Sequence, residues 1–321
     1  MSSSVYETFR ILWANPLSFI GFLLVLLIAG TAVVLALAPI LSQKLLGVTI
    51  TLLPYNPNAI SNDLHQPPSF KHYFGTNTLG QDIYSQVMTA LPLDLLLAVG
   101  VAGTALAVGI GLGLIAGFWD ARGTVGGASS VAILRVTDVF LAFPSLVLAI
   151  ALAALLGRGL TATVIALIVT WWPYYVRLVR GEVLSLKTQP YIYSARSAGV
   201  RERRIVTRHV LRNLIEPLMV YFTLDVGTVI VVFSTISYVG VGPGVGTWEW
   251  GTMIFQYQSY LIPYPWMVLA PGAAIFITVL AFSLFGDGLR DLLDPRSRRA
   301  LAAPETGPTA VVGGVVPAPA S

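Results

Sequence analysis

Three aspartates close to long apolar runs are the residues with the strongest potential for chemistry in this sequence. Asp94, Asp138 and Asp225 lie within or beside such runs, where a carboxylate is costly unless it faces a partner or a cavity. Each falls on a different predicted helix, so they do not form one acid–base site. The histidines at 65, 72 and 209 are scattered, and the chain has no Walker lysine motif, HExxH or serine nucleophile elbow. We therefore predict neither a catalytic set nor a metal site.

The sequence predicts interaction partners for two of these aspartates, Asp138 and Asp225. Arg135 and Asp138 are three residues apart, so they share a helix face and are predicted to form a structural ion pair at a span end. Asp225 lies in the middle of a span, and two interpretations remain open. The carboxylate faces a translocation cavity and meets a ligand amine, or it hydrogen-bonds a Ser or Thr of a neighbouring helix.

The composition is that of a protein that crosses a membrane several times. Of 321 residues, 55% are hydrophobic and only 11% are charged, and the mean hydropathy is +0.77. A soluble domain carries roughly 25% charged residues, so this chain has too little charge to cover a water-facing surface. The net charge of +4 comes from basic residues beside apolar runs, which favours membrane lipid over nucleic acid as a partner. The absence of cysteine excludes disulfide, thiolate and iron–sulfur chemistry.

Six apolar runs approach the length of about 20 residues that crosses the hydrocarbon core. The first is interpreted as an uncleaved anchor, because it exceeds the ~7–15 residues of a signal-peptide core. If both termini are cytosolic, only Lys44, Lys71 and Arg158 of the 19 lysines and arginines lie outside, and such a bias sets orientation. We predict a multi-pass protein of the cell membrane with both termini in the cytosol. The predicted spans are 17–38, 91–118, 131–157, 160–180, 214–239 and 266–286.

The segments between the spans complete the predicted organisation. Residues 1–16 form a cytosolic leader, and residues 39–90 form an external loop with too little apolar content for a core of its own. Residues 91–299 form the membrane core, which includes a cytosolic segment over 188–213. Residues 300–321 are predicted to be a disordered cytosolic tail, because they can bury too little to offset the entropy of ordering.

The segment over 191–213 is strongly basic and has the composition of a docking surface. It combines the small residues Ala195, Ala198 and Gly199 with arginines at 201, 203, 204 and 208. Small residues on one face permit close approach of another protein, and the flanking arginines add positive charge that is complementary to an acidic partner surface. The alternative is an amphipathic surface helix whose arginines contact lipid headgroups. We interpret the segment as a lever that a cytosolic protein grips.

This segment resembles the cytosolic EAA loop of permease subunits in ATP-binding-cassette (ABC) importers. Tyr193-Ser194-Ala195 occupies the place of Glu-Ala-Ala, Gly199 follows at the family's spacing, and Leu211-Arg212-Asn213 replaces Leu-Pro-Asn. Further motifs, in the same order along the chain, resemble the C-type permease of dipeptide, oligopeptide and nickel importers. They are Phe74-Gly-Thr-Asn-Thr-Leu-Gly-Gln-Asp82, Arg135-Val-Thr-Asp138 with Leu141-Ala-Phe-Pro144, Trp172-Pro-Tyr-Tyr-Val-Arg177 and Gly286-Asp-Gly-Leu-Arg-Asp-Leu-Leu-Asp-Pro-Arg296. Asn77 and Gln81 stand where that family has Asp and Arg.

The resemblance implies an all-α membrane subunit with the MetI-like fold of type I importers. It implies a homologous B-type permease as partner, two cytosolic ABC ATPase subunits that bind ATP and Mg²⁺, and an extracytoplasmic solute-binding protein. This chain would bind no cofactor itself. The implied ATPase-coupling residues are Tyr193, Ser194, Ala195, Ala198, Gly199, Arg203, Arg204 and Leu211. The expected translocation cavity lies near Asp225, Trp248 and Trp250.

Peptides are the expected cargo, and three alternatives remain. The same architecture imports oligosaccharides or nickel complexes in related systems. A self-contained secondary transporter would need ion-coupling carboxylates or broken-helix repeats near the midplane, and only Asp225 has that character. A membrane-embedded enzyme would depend on Asp138 and Asp225, which lie on different spans.

Overall fold

The computed structural model describes residues 16–46, 52–119, 125–244 and 246–293, and this part of the chain is helical with no strand. It also contains a π-helical turn over Val206–Val210 and a 3-10 turn over Gln258–Tyr260. The helices are α1 (Pro16–Leu46), α2 (Ile83–Phe118), α3 (Val125–Leu141), α4 (Ser145–Leu155), α5 (Leu160–Lys187), α6 (Pro190–Ser197), α7 (Glu202–Ile205), α8 (Leu211–Tyr238), α9 (Trp250–Tyr257) and α10 (Trp266–Leu293). The predicted leader, apart from its last residue, and the predicted tail lie outside the described residues.

Helices α2 and α5 form the most extensive helix pair, and they run in the same direction. A methyl group added at Gly113 would lie 2.7 Å from Cβ of Val179, and one at Gly117 would lie 2.9 Å from Cβ of Val183. Both partner positions advance by four residues, one helical turn, so the small residues of α2 form a groove for the larger side chains of α5. Small residues allow this close backbone approach between membrane helices.

The parallel direction of α2 and α5 requires that the chain between them cross the membrane. Five described helices are long and apolar enough to span a bilayer, and α3 with α4 makes a sixth candidate. Because α2 and α5 both end beside the segment that follows Lys187, the intervening chain must return to the opposite end of the bundle. The broken helix α3–α4 provides that return, which agrees with six crossings.

The predicted third span is not one straight helix. Residues Gly127–Leu141 and Ser145–Leu155 are separated by a bend of 88°, and Pro144 lies at the start of α4. Proline lacks an amide proton and forces the preceding residue out of the helical region, so a helix is interrupted there. The predicted span over 131–157 therefore corresponds to a bent pair of helices and not to one straight helix.

Two helices extend beyond the predicted ends of their apolar runs, which shortens the loop predicted over 39–90. Helix α1 continues to Leu46, and α2 begins at Ile83. The early start of α2 has a local cause, because the Asp82 carboxylate accepts a hydrogen bond from the Ser85 amide at 2.8 Å. This N-cap satisfies one of the amides that the first helical turn leaves unpaired.

Both ends of the described chain lie at the same end of the bundle. Gly288 of α10 packs against Ser18 of α1. Leu293 lines a cavity of about 310 Å³ together with Glu216 and Val220, which belong to the first turns of α8. The beginning of α1, the end of α10 and the beginning of α8 are therefore neighbours.

Candidate functional site

The segment between α5 and α8 folds into a short helix, a sharp turn and a second helical start. Helix α6 ends in a Schellman motif, in which the Gly199 amide donates to the Arg196 carbonyl at 2.9 Å and the Val200 amide donates to the Ala195 carbonyl at 3.1 Å. Gly199 has φ +73°, a left-handed conformation that favours glycine. An added Cβ atom would meet nothing within 4 Å, so the turn requires glycine for its backbone and presents an open surface.

Apolar side chains anchor this segment to the helix ends. Ile192, Ile205 and Val210 are completely buried, and their side chains lie in one apolar cluster. They meet the ends of α2 and α5 and the start of α8, and Ala195 and Val200 pack at the edge of the same cluster. Other members of this coupling cluster are Phe118, Val179, Val183, Val206, Leu214 and Leu218. The apolar cluster joins the segment to α2, α5 and α8 at once.

Charged side chains close the outer edge of the coupling cluster. The Arg196 guanidinium forms an ion pair with Glu202 at 3.0 Å and lies 5.6 Å from the centre of the Phe118 ring. Lys187 donates to the carbonyls of Gly117 and Phe118 at 3.2 and 3.1 Å. These are the last carbonyls of α2, which a helix leaves without intrahelical partners. The segment is therefore fixed to the end of α2 by polar as well as apolar contacts.

Most of the predicted coupling residues form one exposed surface. Tyr193 is 55% exposed, and the surface continues over the turn at Gly199 to the first turn of α7. Its exposed members are Tyr193, Ser194, Ala198, Gly199, Arg203 and Arg204, whereas Ala195 and Leu211 are half-buried. This arrangement is an exposed basic surface on a block that is anchored to the ends of the long helices.

Comparison with known proteins gives this block its context. Residues 83–299 match the family described as "Binding-protein-dependent transport system inner membrane component". The chain belongs to that family. Its members are permease subunits of ABC importers, and the ATPase activity of these importers resides in separate subunits, so this permease is not an enzyme.

Curated relatives align over most of the permease. It is 36% identical to the probable D,D-dipeptide transport system permease DdpC of Escherichia coli K12, covering 87% of this chain and 93% of that protein. It is 36% identical to the dipeptide permease DppC of Alkalihalophilus pseudofirmus, covering 91% and 90%. It is 40% identical to the glutathione permease GsiD of E. coli O6:K15:H31, covering 73% and 76%.

A solved structure supports the fold. The inward-facing MetNI methionine ABC transporter contains a chain that matches with a TM-score of 0.50 and 20% sequence identity, covering 64% of this permease and 98% of that chain. At this identity the likeness shows the fold alone. The predicted all-α, MetI-like architecture is confirmed.

The predicted ion pair between Arg135 and Asp138 is wrong in its partner. Within the described residues, the Asp138 carboxylate pairs with Arg177 at 2.7 Å. Arg177 belongs to α5, and α3 packs beside that helix. A helix spacing of three residues permits a pair, but a long side chain from a neighbouring helix competes for the same carboxylate. This ion pair ties α3 to α5.

The three residues predicted to share a translocation cavity lie in three different surroundings. Asp225 is half-buried, and its carboxylate accepts a hydrogen bond from the indole of Trp171 at 3.1 Å. Trp248 donates to the side chain of Asn58 at 3.1 Å. Trp250 is 1% exposed and donates to the Val87 carbonyl at 3.0 Å. Trp250 does line a cavity of about 230 Å³, but that cavity is wholly apolar and lies between α1, α2 and α10.

A polar network at the opposite end of the bundle was missed by the predictions. The Asn77 amide donates to Gln81 and to the Tyr257 hydroxyl, both at 2.8 Å, and Gln86 donates to Gln81 at 3.0 Å. Gln86 also donates to the Pro57 carbonyl at 3.2 Å. Burial raises the pKa of the Tyr257 phenol, so the hydroxyl stays protonated.

We call residues 52–82 and 246–264 the distal layer, and this neutral network holds its two parts together.

The sequence carried a signal for this network. Asn77 and Gln81 both depart from the acid and base of the motif that the region resembles, and they bond to each other. A paired change from charged to amide side chains indicates a contact. The histidines of the same layer are structural, since His72 lies 2.9 Å from the Asp82 carboxylate and His65 stacks on Tyr264 with ring centres 4.2 Å apart.

Proposed function

We propose that this permease forms half of a pathway that imports short peptides of the dipeptide class. The support comes from relatives whose names specify D,D-dipeptide, dipeptide and glutathione transport, and which align over most of the chain. The other half of the pathway would be a homologous B-type permease, and membrane lipid would surround both. An extracytoplasmic solute-binding protein would deliver the peptide at the distal layer.

The observation that carries the mechanism is the anchored block over 188–213. We propose that its exposed surface, from Tyr193 to Arg204, docks in a cleft of a cytosolic ATPase subunit. ATP and Mg²⁺ would bind in the two ATPase subunits. Their closure would displace the block, and the coupling cluster would pass the displacement to α2, α5 and α8. The pathway would then change from inward-open to outward-open.

The same proposal places both chain termini in the cytosol. Two observations support it. The ends at Pro16 and Leu293 lie at the end of the bundle that carries the docking block, and the basic residues of the sequence concentrate there. The distal layer would then face the outside of the cell.

We also propose that Asp225 lies beside the translocation pathway. Its carboxylate is half-buried, accepts a hydrogen bond from the Trp171 indole and faces the Tyr175 hydroxyl of the same neighbouring helix. A carboxylate at this depth could attract the amino group of a peptide as it passes. Exchange of Asp225 for asparagine should slow peptide uptake and leave ATPase docking intact. Trp171→Phe removes the indole donor and tests the contact with Asp225 directly.

The docking proposal is tested with single cysteines, because the chain contains none. Ala198→Cys places a thiol on the exposed surface beside the turn, and Ala59→Cys places one in the exposed part of the distal layer. In membranes, Ala198→Cys should crosslink to an ATPase subunit and resist an impermeant thiol reagent applied from outside. Ala59→Cys should show the opposite behaviour. Labelling of Ala198→Cys from outside would refute the orientation and the docking role.

A bulky residue tests coupling separately from position. Ala198→Trp needs no change of backbone, since Ala198 has φ −77°, and it should uncouple ATP hydrolysis from uptake while the transporter still assembles. Gly199→Val adds backbone strain to bulk, so Gly199→Asn, which tolerates the left-handed region, distinguishes the two causes. Full uptake with Ala198→Trp would count against docking at this surface.

A further inference from the structure

Two carboxyl groups are buried side by side where the distal layer meets the helix bundle. Glu249 is the N-cap of α9, and its two carboxylate oxygens accept the amides of Gly251 at 2.8 Å and Thr252 at 2.7 Å. The residue is completely buried. Both oxygens therefore have good donors, which is the arrangement that favours a negative charge at the start of a helix.

Asp94 of α2 has a different environment. One of its oxygens accepts the amide of Trp250, the residue next to Glu249, at 3.1 Å. The other oxygen, Oδ1, is buried and has no hydrogen-bond partner in the described structure. The residue is only 2% exposed. A carboxylate oxygen without a donor is among the most costly groups to bury.

The surroundings contain hydroxyl groups and no positive charge that contacts the pair among the described residues. The titratable group that faces Asp94 is Glu249, and the hydroxyls of Ser237 and Thr252 face Glu249 without reaching hydrogen-bond geometry. The Ser234 hydroxyl is also buried and unpaired, and Gly251 packs directly on the Ser234 backbone. Helices α2, α8 and α9 thus enclose two acids and three hydroxyls.

We propose that Asp94 and Glu249 form a proton-binding site, with one proton held on Oδ1 of Asp94 and the negative charge kept on Glu249. The proton converts the unpaired oxygen into a donor, and it removes the repulsion between two buried like charges. Glu249 keeps the charge because two amides already serve its carboxylate. The protonated Asp94 still accepts the Trp250 amide through Oδ2, so it fastens α9 to α2.

The proposed site gives the distal layer a dependence on pH. The folded pair retains a proton that the unfolded chain releases as the pH rises, because the buried Oδ1 of Asp94 has no hydrogen-bond donor among the described residues to support a negative charge. A group with a raised pKa stabilises the fold fully below its unfolded value, and this stability is lost as pH rises through the folded value. The melting temperature should therefore fall as pH rises above about 4, where an aspartate of the unfolded chain loses its proton, and this fall should depend on Asp94.

Infrared spectroscopy of the assembled transporter in lipid nanodiscs tests the proton directly. A protonated carboxyl group gives a C=O band that shifts in D₂O, and wild-type protein at neutral pH should show this band. Asp94→Asn mimics the protonated acid in shape and should abolish the band while it flattens the dependence of melting temperature on pH. Asp138→Asn, which changes a half-exposed aspartate, is the matched control and should change neither.

The position of the proton has its own test. Glu249→Gln should keep the band, because Asp94 then remains as a lone buried acid. A band that survives Asp94→Asn, or that disappears in Glu249→Gln, would overturn the assignment to Asp94. A melting temperature that responds to Na⁺ at constant pH and ionic strength, with no carboxylic acid band, would show that the pair binds a metal cation instead and would also overturn it. None of these outcomes depends on the transported substrate.

Discussion

The anchored block over 188–213, here called the coupling segment, and the distal layer lie at opposite ends of the permease and are held by different forces. The coupling segment is attached mainly by apolar side chains, such as Ile192 and Ile205, that insert between helix ends. The distal layer is attached by hydrogen bonds between residues far apart in sequence, such as Asn77 with Tyr257 and Trp266 with the Thr76 carbonyl at 3.2 Å.

The difference indicates different mechanical roles for the two ends. Apolar contact is non-directional, so a block held in this way can tilt while it remains attached. Hydrogen bonds weaken steeply when their angle or length changes, so a layer held by them keeps one fixed position relative to the helix bundle. The coupling end is therefore suited to receive motion, and the distal end is suited to keep a fixed frame. Four predictions test this contrast, from the largest expected effect to the smallest.

The largest effect is expected from Ile205→Ala in the coupling cluster. Removing this fully buried side chain should cost about 2–5 kcal/mol through lost burial and the remaining cavity. Because the cost falls on the attachment of the segment, peptide uptake should fall sharply while ATP hydrolysis by the assembled transporter continues. Uptake and hydrolysis are measured together in proteoliposomes.

A matched isoleucine provides the control for this prediction. Ile262 of the distal layer is 94% exposed, so Ile262→Ala should change neither quantity. If Ile205→Ala retains coupled uptake, the apolar attachment does not transmit the motion, and the contrast between the two ends loses its basis.

The second prediction concerns the neutral network of the distal layer. Asn77→Ala removes the donor to Tyr257 and leaves buried polar groups unpaired, which should cost about 1–3 kcal/mol. The melting temperature of the transporter should fall, but the ratio of uptake to ATP hydrolysis should stay constant. Asn56→Ala, at an exposed turn, is the control. A double mutant with Tyr257→Phe should cost less than the sum of the two single changes, because both remove one interaction.

The third prediction concerns the exposed arginines of the coupling segment. Arg203→Ala and Arg204→Ala should each weaken ATPase binding by about 0.2–1 kcal/mol, the range for exposed ion pairs. The effect should shrink at high salt, where exposed charges are screened, and the melting temperature of the permease should not change. Binding is measured at two salt concentrations. An effect that is independent of salt would mean that packing, and not charge, recognises this surface.

The sequence was most informative where a pattern depends on a single helix. Apolar length predicted the crossings, and the spacing around Gly199 carried the resemblance to the EAA loop, at a position where the structure has a Schellman motif. It was less informative where two elements meet. The bend at Pro144, the pairing of Asp138 with Arg177 and the burial of Trp250 all depend on neighbouring helices, and a single sequence does not specify which helices are neighbours.

The distal network illustrates the same limit in a different way. The departures at Asn77 and Gln81 were visible in the sequence, but their contact with Tyr257 joins residues that are far apart along the chain. Glu249 and Asp94 likewise come together only through the fold. Long-range polar contacts of this kind require the structure, because no local periodicity encodes them.

The smallest effect is expected for the ion pair between Asp138 and Arg177, which belongs to neither end. Its side chains are 49% and 54% exposed, so solvent screens their attraction and Asp138→Asn should cost about 0.2–1 kcal/mol at most. Arg177→Gln should cost a similar amount, and the double mutant should cost no more than either single change, because both break the same contact. Arg135→Gln should leave this cycle unchanged, since Arg135 is not the partner. If Asp138→Asn instead destabilised the permease as strongly as Asn77→Ala, a half-exposed charge pair would lock helices as firmly as a buried network, and the distinction drawn here between exposed charge and buried polar contacts would fail.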